Sequence, residues 1–341
     1  MKQIDERDIM FSRMILRKGS KEYKEYYQKY PERKKIDDYL RSNPEVFSNP
    51  KEKKYNKLKS PLINAGFQYL ADIKHLAEGE CASEKVKTSP KEITEQLKIF
   101  SKFLGADLSG IAKLNANHYY SHRGREGNYG EKINNKHKYA IVFLTEMEEK
   151  MIDQAPNIEM TMASVKGYVK AGTIGMWLAY YLRNLGYEAR NHLDGNYLLV
   201  APLVARDAGL GEIGRNALLL TREFGPRIRI GIVTTNLELI PDKKRNFGFL
   251  KLCNACKRCA KKCAAKSISF NNFSEEEKIS IDQEKCYEMW AKLGTDCGIC
   301  IDICPLSHNI PASLLNKLQQ GNRKVIKEIL KTSPEKNYDM D

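Results

Sequence analysis

Apolar residues recur along this chain with two periods. Between Ser89 and Gly105 they fall at Leu97, Phe100, Phe103 and Leu104, the spacing of one helix face. Pro90 stands at the first helical position, where its missing N–H costs nothing. From Ser164 to Asn184 a second helix is predicted, with Ile174, Trp177, Leu178, Tyr181, Leu182 and Leu185 on one stripe and Gly186 beyond its end. Lys138–Glu146 carries a continuous Ile-Val-Phe-Leu run and Arg227–Thr235 alternates Arg-Ile-Arg-Ile, so both read as strands. Ala106–Leu114, Tyr197–Val200 and Ala217–Leu220 are shorter strand candidates, and Pro202–Asp207 a short helix. Strands alternating with helices ahead of a cysteine-rich tail predict an α/β core followed by a small second domain.

The first sixty residues are polar, with Tyr23, Tyr26, Tyr27, Tyr30 and Tyr39 spaced through them. Several short helices broken at Pro31, Pro44 and Pro50 are expected, forming an arm that wraps the core. Lys59–Glu78 is partly apolar around Phe67, Leu70 and Ile73. Asn115–Lys136, rich in Tyr, Gly, Arg, Asn and His, reads as a loop able to line a site. The expected division is a helical arm over 1–80, a core over 81–245, a cysteine domain over 246–310 and a C-terminal helix or tail over 311–341.

Eight of the nine cysteines lie between Cys253 and Cys304. Cys253, Cys256, Cys259 and Cys263 form a C-x2-C-x2-C-x3-C run. Cys286 follows, then Cys297, Cys300 and Cys304 with Pro305 behind. Two four-iron clusters need eight thiolates, and the fourth cysteine of such a run ligates the other cluster. Three cysteines two residues apart can wrap three corners of one cube, while the fourth, a helical turn on, points away. One [4Fe–4S] cluster is therefore assigned to Cys253, Cys256, Cys259 and Cys304, the second to Cys263, Cys286, Cys297 and Cys300. Zinc ribbons use paired C-x2-C knuckles, which this is not. Disulfides need an oxidising compartment, for which the sequence carries no signal. Ala264 stands where Pro usually follows the fourth cysteine of such runs, without removing a ligand. Cys81 is read as a spare thiol.

Composition adds constraints. The chain has 341 residues, 42% of them hydrophobic and 29% charged, as expected for a globular protein. The N-terminus has charges where a signal peptide needs an apolar run, and the longest apolar stretches, Tyr197–Val204 and Ile228–Thr235, are strand-sized. A cytoplasmic location without membrane contact is expected. The net charge of +14 suits nucleic acid or an acidic electron carrier, against the simpler reading of lysine-rich solvated helices at Lys51–Lys59 and Lys317–Lys331. Gly209, Gly211 and Gly214 spell G-x-G-x-x-G, but a helix, not a strand, is predicted before them, so the dinucleotide context is missing. Their remaining use is a loop whose backbone approaches a flat ligand.

The motifs YSHRGREG, HKYAIVFLTEME, LRNLGYEA and ARDAGLGEIGRNALLLTREFGPRIRIGIVTT, with the cysteine segment behind them, resemble the corrinoid- and iron–sulfur-dependent reductive dehalogenases over roughly residues 5–310. The resemblance implies a cobalamin in a nitroreductase-like α+β core, followed by a ferredoxin-like double-cluster domain. Electrons would pass through the two clusters to Co(I), and a carbon–halogen bond would become carbon–hydrogen. It further implies a Tyr proton donor with Arg and Asn beside it, which fall on Tyr168, Arg229 and Asn196. Lys166, Lys170 and Arg227 are the neighbours that a one-turn error would bring in. An adjacent Arg would lower the phenol's pKa. Gly209, Gly211, Gly214 and Arg215 are the implied cofactor-binding residues. Without the resemblance, Tyr168 is an ordinary helix tyrosine, Asn196 a turn residue and Arg229 an outward strand residue. The base-off motif D-x-H-x-x-G is absent, since Arg190 stands where Asp would be, and His192 reads as a surface or loop histidine. His118 and His122 either line the cofactor pocket or are structural. Ferredoxin or flavodoxin is the expected electron donor, and a small organic compound, halogenated if the resemblance extends that far, the expected substrate.

Epoxyqueuosine reductase shares the corrinoid core and the eight-cysteine layout, and would make tRNA a partner. Its glycine loop usually reads GLGW-x-GK, whereas Glu212 and Arg215 stand here. An Asp donor is expected in that family, and Asp194 lies near the matching position. A pure electron-transfer protein is a further alternative, which would leave some 250 residues ahead of the cysteines without a role.

Overall fold

The computed structural model describes residues 3–43, 50–51, 53–125, 127–134, 137–274, 281–333 and 335–339. The expected breaks at Pro31 and Pro50 fall among them. That at Pro44 lies outside, as do Asn135 and Lys136 of the Asn115–Lys136 loop.

The core is a four-stranded sheet built from β1 (Leu108–Lys113), β2 (Tyr139–Glu146), β3 (Ala189–His192) and, after the short hairpin β4 (Glu212–Ile213) and β5 (Leu219–Leu220), β6 (Ile228–Thr235). Its order is β1-β2-β6-β3 and every neighbour is antiparallel. Helices do alternate with strands along the chain, but none serves as a crossover between parallel neighbours. The core is thus α+β. β3 pairs only with Ile232–Thr235, so on that side the first half of β6, Ile228–Gly231, has no strand beside it among the described residues.

The strand pattern explains the two cores. Ile111, Ile141, Phe143 and Val233 point to one face and meet the long helix Ile158–Asn184 and the helix Pro90–Phe103. Ala112, Ala140, Val142, Leu144, Ile228 and Ile232 point to the other, toward the short helix Ala201–Asp207. Gly231 is required where β6 crosses β2, because a Cβ there would run into the Phe143 ring.

Expected elements are found with shifted ends. The long helix starts at Ile158, six residues before the predicted start. Ser89 caps the helix Pro90–Phe103 by accepting from the Glu92 N–H. Phe103 and Trp177, assigned to apolar faces by spacing, are exposed. Tyr197–Val200 is not a strand. It makes one bridge, Tyr119 to Leu199, and the strand lies earlier, at Ala189–His192. The turn between them is held by the Leu198 N–H donating to His192 Nδ1.

The N-terminal arm is helical at Lys21–Lys29, Pro31–Ser42 and Lys59–Ile73. Arg13, buried, pairs with Asp37 of the arm and with Glu284 of the cysteine segment. At the other end, Leu315, Leu318, Val325, Ile326 and Ile329 pack on Phe247, Phe249, Leu252 and Leu306 of the cysteine segment. The lysine-rich C-terminal run is therefore amphipathic rather than fully solvated. No described helix is long and apolar enough to cross a membrane.

Gly231→Ala is expected to destabilise the core by roughly 1–3 kcal/mol through overpacking against Phe143. Thermal unfolding of the variant beside the parent checks this.

Candidate functional site

A cavity of about 410 Å³ opens where β3 ends and the first half of β6 is left unpaired. Its walls are apolar at Leu199, Pro202, Leu218, Leu219, Ile228, Ile230 and Ile232. Its polar groups converge from four segments: Arg125 from the loop, Tyr168 from the long helix, Asp194 and Tyr197 from the turn after β3, and Arg229 from β6. Asp296, beside Cys297, closes it from the cysteine segment, and Phe11, Phe67 and Trp290 also line it.

Arg229 reaches this place because Gly167 lets it. The Arg229 side chain runs between β6 and the long helix, where a Cβ on residue 167 would meet its Cγ at 2.8 Å. Its guanidinium donates to Ser164 Oγ at 2.6 Å, lies 3.9 Å from Asp296 and has its Cζ 4.8 Å from the Tyr168 ring centroid. Its Nε is buried without a hydrogen-bond partner. Arg229 is thus not an outward strand residue. The Arg229 charge acts most strongly on Tyr168 and pulls its pKa down. Burial together with the Asp194 and Asp296 charges outweighs it, and the phenol ends above its ordinary value. The lowered pKa expected from the sequence is therefore reversed. Burial likewise pushes Asp194 and Asp296 up, against Arg125 and Arg229 for the first and Arg229 for the second. Arg125 donates to the Tyr197 hydroxyl at 2.6 Å and to Glu6 at 3.1 Å, and burial holds Tyr197 up at about 12.

Several expected residues lie elsewhere. The Asn196 amide does not line the cavity. Its Oδ1 accepts from Arg190 at 2.6 Å and its Nδ2 donates to the Lys74 carbonyl at 2.8 Å, so it holds the turn. Gly209, Gly211 and Gly214 meet protein rather than cavity: Cβ atoms there would strike the Lys243 carbonyl, the Leu220 carbonyl and the Leu220 side chain. Arg215 donates to the carbonyls of Ser269 and Asn271, both at 2.6 Å, and of Cys253 at 3.3 Å. The three glycines thus make room for neighbours inside the core, while Arg215 joins the core to the cysteine segment. Arg227 does the same, bonding the Ser307 and Met147 carbonyls and Glu146. Lys166 pairs with Glu148 and Lys170 with Asp107. His192 does line the cavity, but it is buried, with Nδ1 accepting from Leu198 and Nε2 on Thr234, and burial depresses its pKa strongly. His118 accepts from the Asn115 N–H and meets Asp207, and neither it nor His122 lines the cavity. Cys81 is half-buried and free.

The eight thiols sit in two sets. Cys304 lies in the fields of Cys253, Cys259 and Cys256. Cys286 lies in those of Cys297 and Cys263, and Cys300 in those of all three. Cys259 also acts on Cys300, so the sets adjoin there. Burial drives Cys253 and Cys297 up to about 11, Cys259 and Cys286 to about 12. Such thiols do not ionise at neutral pH unless a metal displaces their protons. The helix Phe249–Cys256 that carries two of them starts on Glu212, whose buried carboxylate accepts from the N–H groups of Phe247, Gly248, Phe249 and Leu250. The second set is docked on the long helix by the Asp296 N–H, which donates to Thr161 Oγ1 at 2.9 Å, and on the β4–β5 hairpin by Asn216 Nδ2, which donates to the Cys300 carbonyl at 3.2 Å.

Asp296, Arg125 and Tyr197 escape a reading of spacing, and Asp194 is reached only through the resemblance to epoxyqueuosine reductase. Asp296 had one available signal, its place next to Cys297, and Arg125 lies in the polar loop expected to line a site.

Comparison with known proteins places residues 252–308 in the 4Fe-4S dicluster domain family. Tetrachloroethene reductive dehalogenase of Sulfurospirillum multivorans is 30% identical over 258 residues, 64% of this chain and 51% of that protein. A catabolic reductive dehalogenase solved in complex with 3-bromo-4-hydroxybenzoic acid superposes with a TM-score of 0.72 at 26% identity, over 81% of this chain and 41% of the other. Epoxyqueuosine reductase of Lactococcus garvieae is more distant, 28% identical over 120 residues, a third of each chain. The chain spans about half the length of the reductive dehalogenases it matches.

Glu212→Ala is expected to leave four helix-end N–H groups without their acceptor and to cost roughly 2–3 kcal/mol. Calorimetry of the iron-loaded protein checks the size, and its iron content should fall with it.

Proposed function

Taking this homologue of the reductive dehalogenases as the premise, we propose that it is a corrinoid- and iron–sulfur-dependent reductase that replaces a carbon–halogen bond by carbon–hydrogen. The observation that carries the reading is Tyr168 under the Arg229 guanidinium in a cavity bordered by Asp296, one residue from Cys297. The two thiol sets would hold two [4Fe–4S] clusters, Cys253, Cys256, Cys259 and Cys304 on one and Cys263, Cys286, Cys297 and Cys300 on the other. A ferredoxin or flavodoxin would feed them.

Two features of the cavity suit a corrin ring. Ile228, Ile230 and Ile232 with Leu218 and Leu219 offer an apolar wall to a flat macrocycle. Both nitrogens of His192 are engaged, which suits a corrinoid bound without a histidine from the protein. When bound, the corrinoid supplies the two-electron reduction at the carbon that loses halide.

The overall change, R–X + 2e⁻ + H⁺ → R–H + X⁻, leaves this chain the proton and the charges. Tyr168 keeps its proton through neutral pH because burial and two acids hold its pKa up. Once the proton is handed over, the phenolate lies against Arg229, and the cation limits the cost of that charge. Phe11, Phe67 and Trp290 add aromatic faces that favour a flat, apolar substrate. The structural relative's 3-bromo-4-hydroxybenzoic acid is flat and aromatic too, though it carries a carboxyl and a hydroxyl group.

A second reading, reduction of epoxyqueuosine in tRNA, is favoured by one observation: Asp194 is buried in the cavity with its pKa raised, fit to donate a proton. Reduced, cobalamin-loaded protein incubated in parallel with halogenated phenols and with epoxyqueuosine-containing tRNA separates the two. Halide release alone supports the first reading, queuosine alone the second, and no corrin absorption after reconstitution removes both.

Tyr168→Phe is expected to lower halide release about 10²–10⁴-fold. In the parent the rate should hold through neutral pH and fall only as pH climbs past the raised phenol pKa. The variant's residual rate should lack that alkaline fall.

A further inference from the structure

The two stretches that carry the cysteines differ in charge, with Glu275, Glu276 and Glu277 between them. From Lys243 to Ser274, the stretch carrying the run Cys253–Cys263, there are nine cations and no acid. From Asp282 to Cys304, the stretch carrying the other four cysteines, there are five acids and two cations. Some of the nine cations are committed: Arg258 donates to the Leu330 and Ser333 carbonyls, and Lys262 to Asn337. Lys251, Lys261 and Lys266 are exposed, on the two short helices of the run and the turn after it. Of these three, only Lys261 has a carboxylate near it among the described residues, Glu335 at 3.6 Å, and that pair is more than half exposed on both sides. Ala255 and Phe270, of the same stretch of sequence, are exposed as well. The Cys297–Cys300 loop is held to the long helix through Thr161 and to the β4–β5 hairpin through Asn216.

We infer that the surface of Lys251, Lys261 and Lys266 over the Cys253–Cys259 run is the docking site of an acidic one-electron carrier protein, and that electrons enter through the first thiol set. This rests on the reductase reading above and adds the place and chemistry of the partner. Charge complementarity selects the occupant: a concentrated cationic patch raises the encounter rate of an anionic protein about 10- to 1,000-fold, and salt screens it. Phe270 supplies the apolar contact that orients the encounter. Each docking passes one electron: the carrier is oxidised by one and the first cluster reduced by one, so two dockings serve each two-electron turnover.

The test uses iron- and cobalamin-loaded protein and an acidic [2Fe–2S] ferredoxin, reduced beforehand, with cluster bleaching followed by stopped flow at low and high salt. The expected result for the parent is a second-order rate constant that falls steeply with salt. For Lys251→Gln/Lys261→Gln/Lys266→Gln it should be about tenfold lower at low salt and nearly flat. The corresponding triple Glu variant should be slower still. Bleaching by dithionite and iron content should match the parent in both, which separates lost docking from a lost cluster. Parent-like rates and salt slope in variants that retain their iron overturn the docking site. Failure of dithionite-reduced protein to release halide overturns the reductase reading instead, and leaves the bleaching rates to judge the docking on their own.

Discussion

A guanidinium drawn into a protein interior must be met on every side, and Arg229 sets the terms for the rest of this molecule. It leaves β6 under the long helix, so the helix must have glycine at 167. Its charge calls for an acid, and Asp296 is brought by the cysteine segment rather than by the core. Its remaining face lies against Tyr168. Sheet, helix and cysteine segment are thus tied at one side chain. Desolvation alone would make such a charge costly, and partial pairing with Asp296 and Ser164 offsets much of that cost.

The seam between core and cysteine segment follows the same logic of buried polar groups satisfied across it. Glu212, Arg215 and Arg227 each leave the core and commit their side chains to backbone groups of the segment or its flanks. The two parts are therefore oriented by directional bonds and not by apolar contact alone. That is what holds Asp296, next to Cys297 of the second thiol set, at the cavity.

Much of this is legible in the sequence, for physical reasons that differ by element. The cysteine spacing names its chemistry because few other arrangements use triplets with a trailing fourth cysteine. β2 and β6 declare themselves because a strand buried on both faces needs continuous apolar residues. The long helix shows in its stripe, though its first turns, Ile158–Ala163, pack against the cysteine segment and so follow no simple face. Tyr168 and Arg229 are reached through resemblance, and the structure brings them together. Asn196 and the glycine loop are misplaced because spacing along a motif does not say which way a side chain turns: the loop glycines make room for protein, not for a ligand. The role of Asp194 in the cavity and the net direction of the Tyr168 pKa lie beyond a linear reading, since both depend on charges gathered from segments far apart in the chain. The antiparallel sheet is likewise hidden, because alternation along the chain does not fix the direction of neighbours in space.

The early end of β3 at His192 leaves backbone donors and acceptors of Ile228–Gly231 without a strand on that side. On an open sheet such an edge recruits strands from other molecules and seeds aggregates. Here it faces into the cavity, between the turn after β3 and the cysteine segment. The same vacancy that makes room for a ligand therefore shields this raw border from neighbouring molecules.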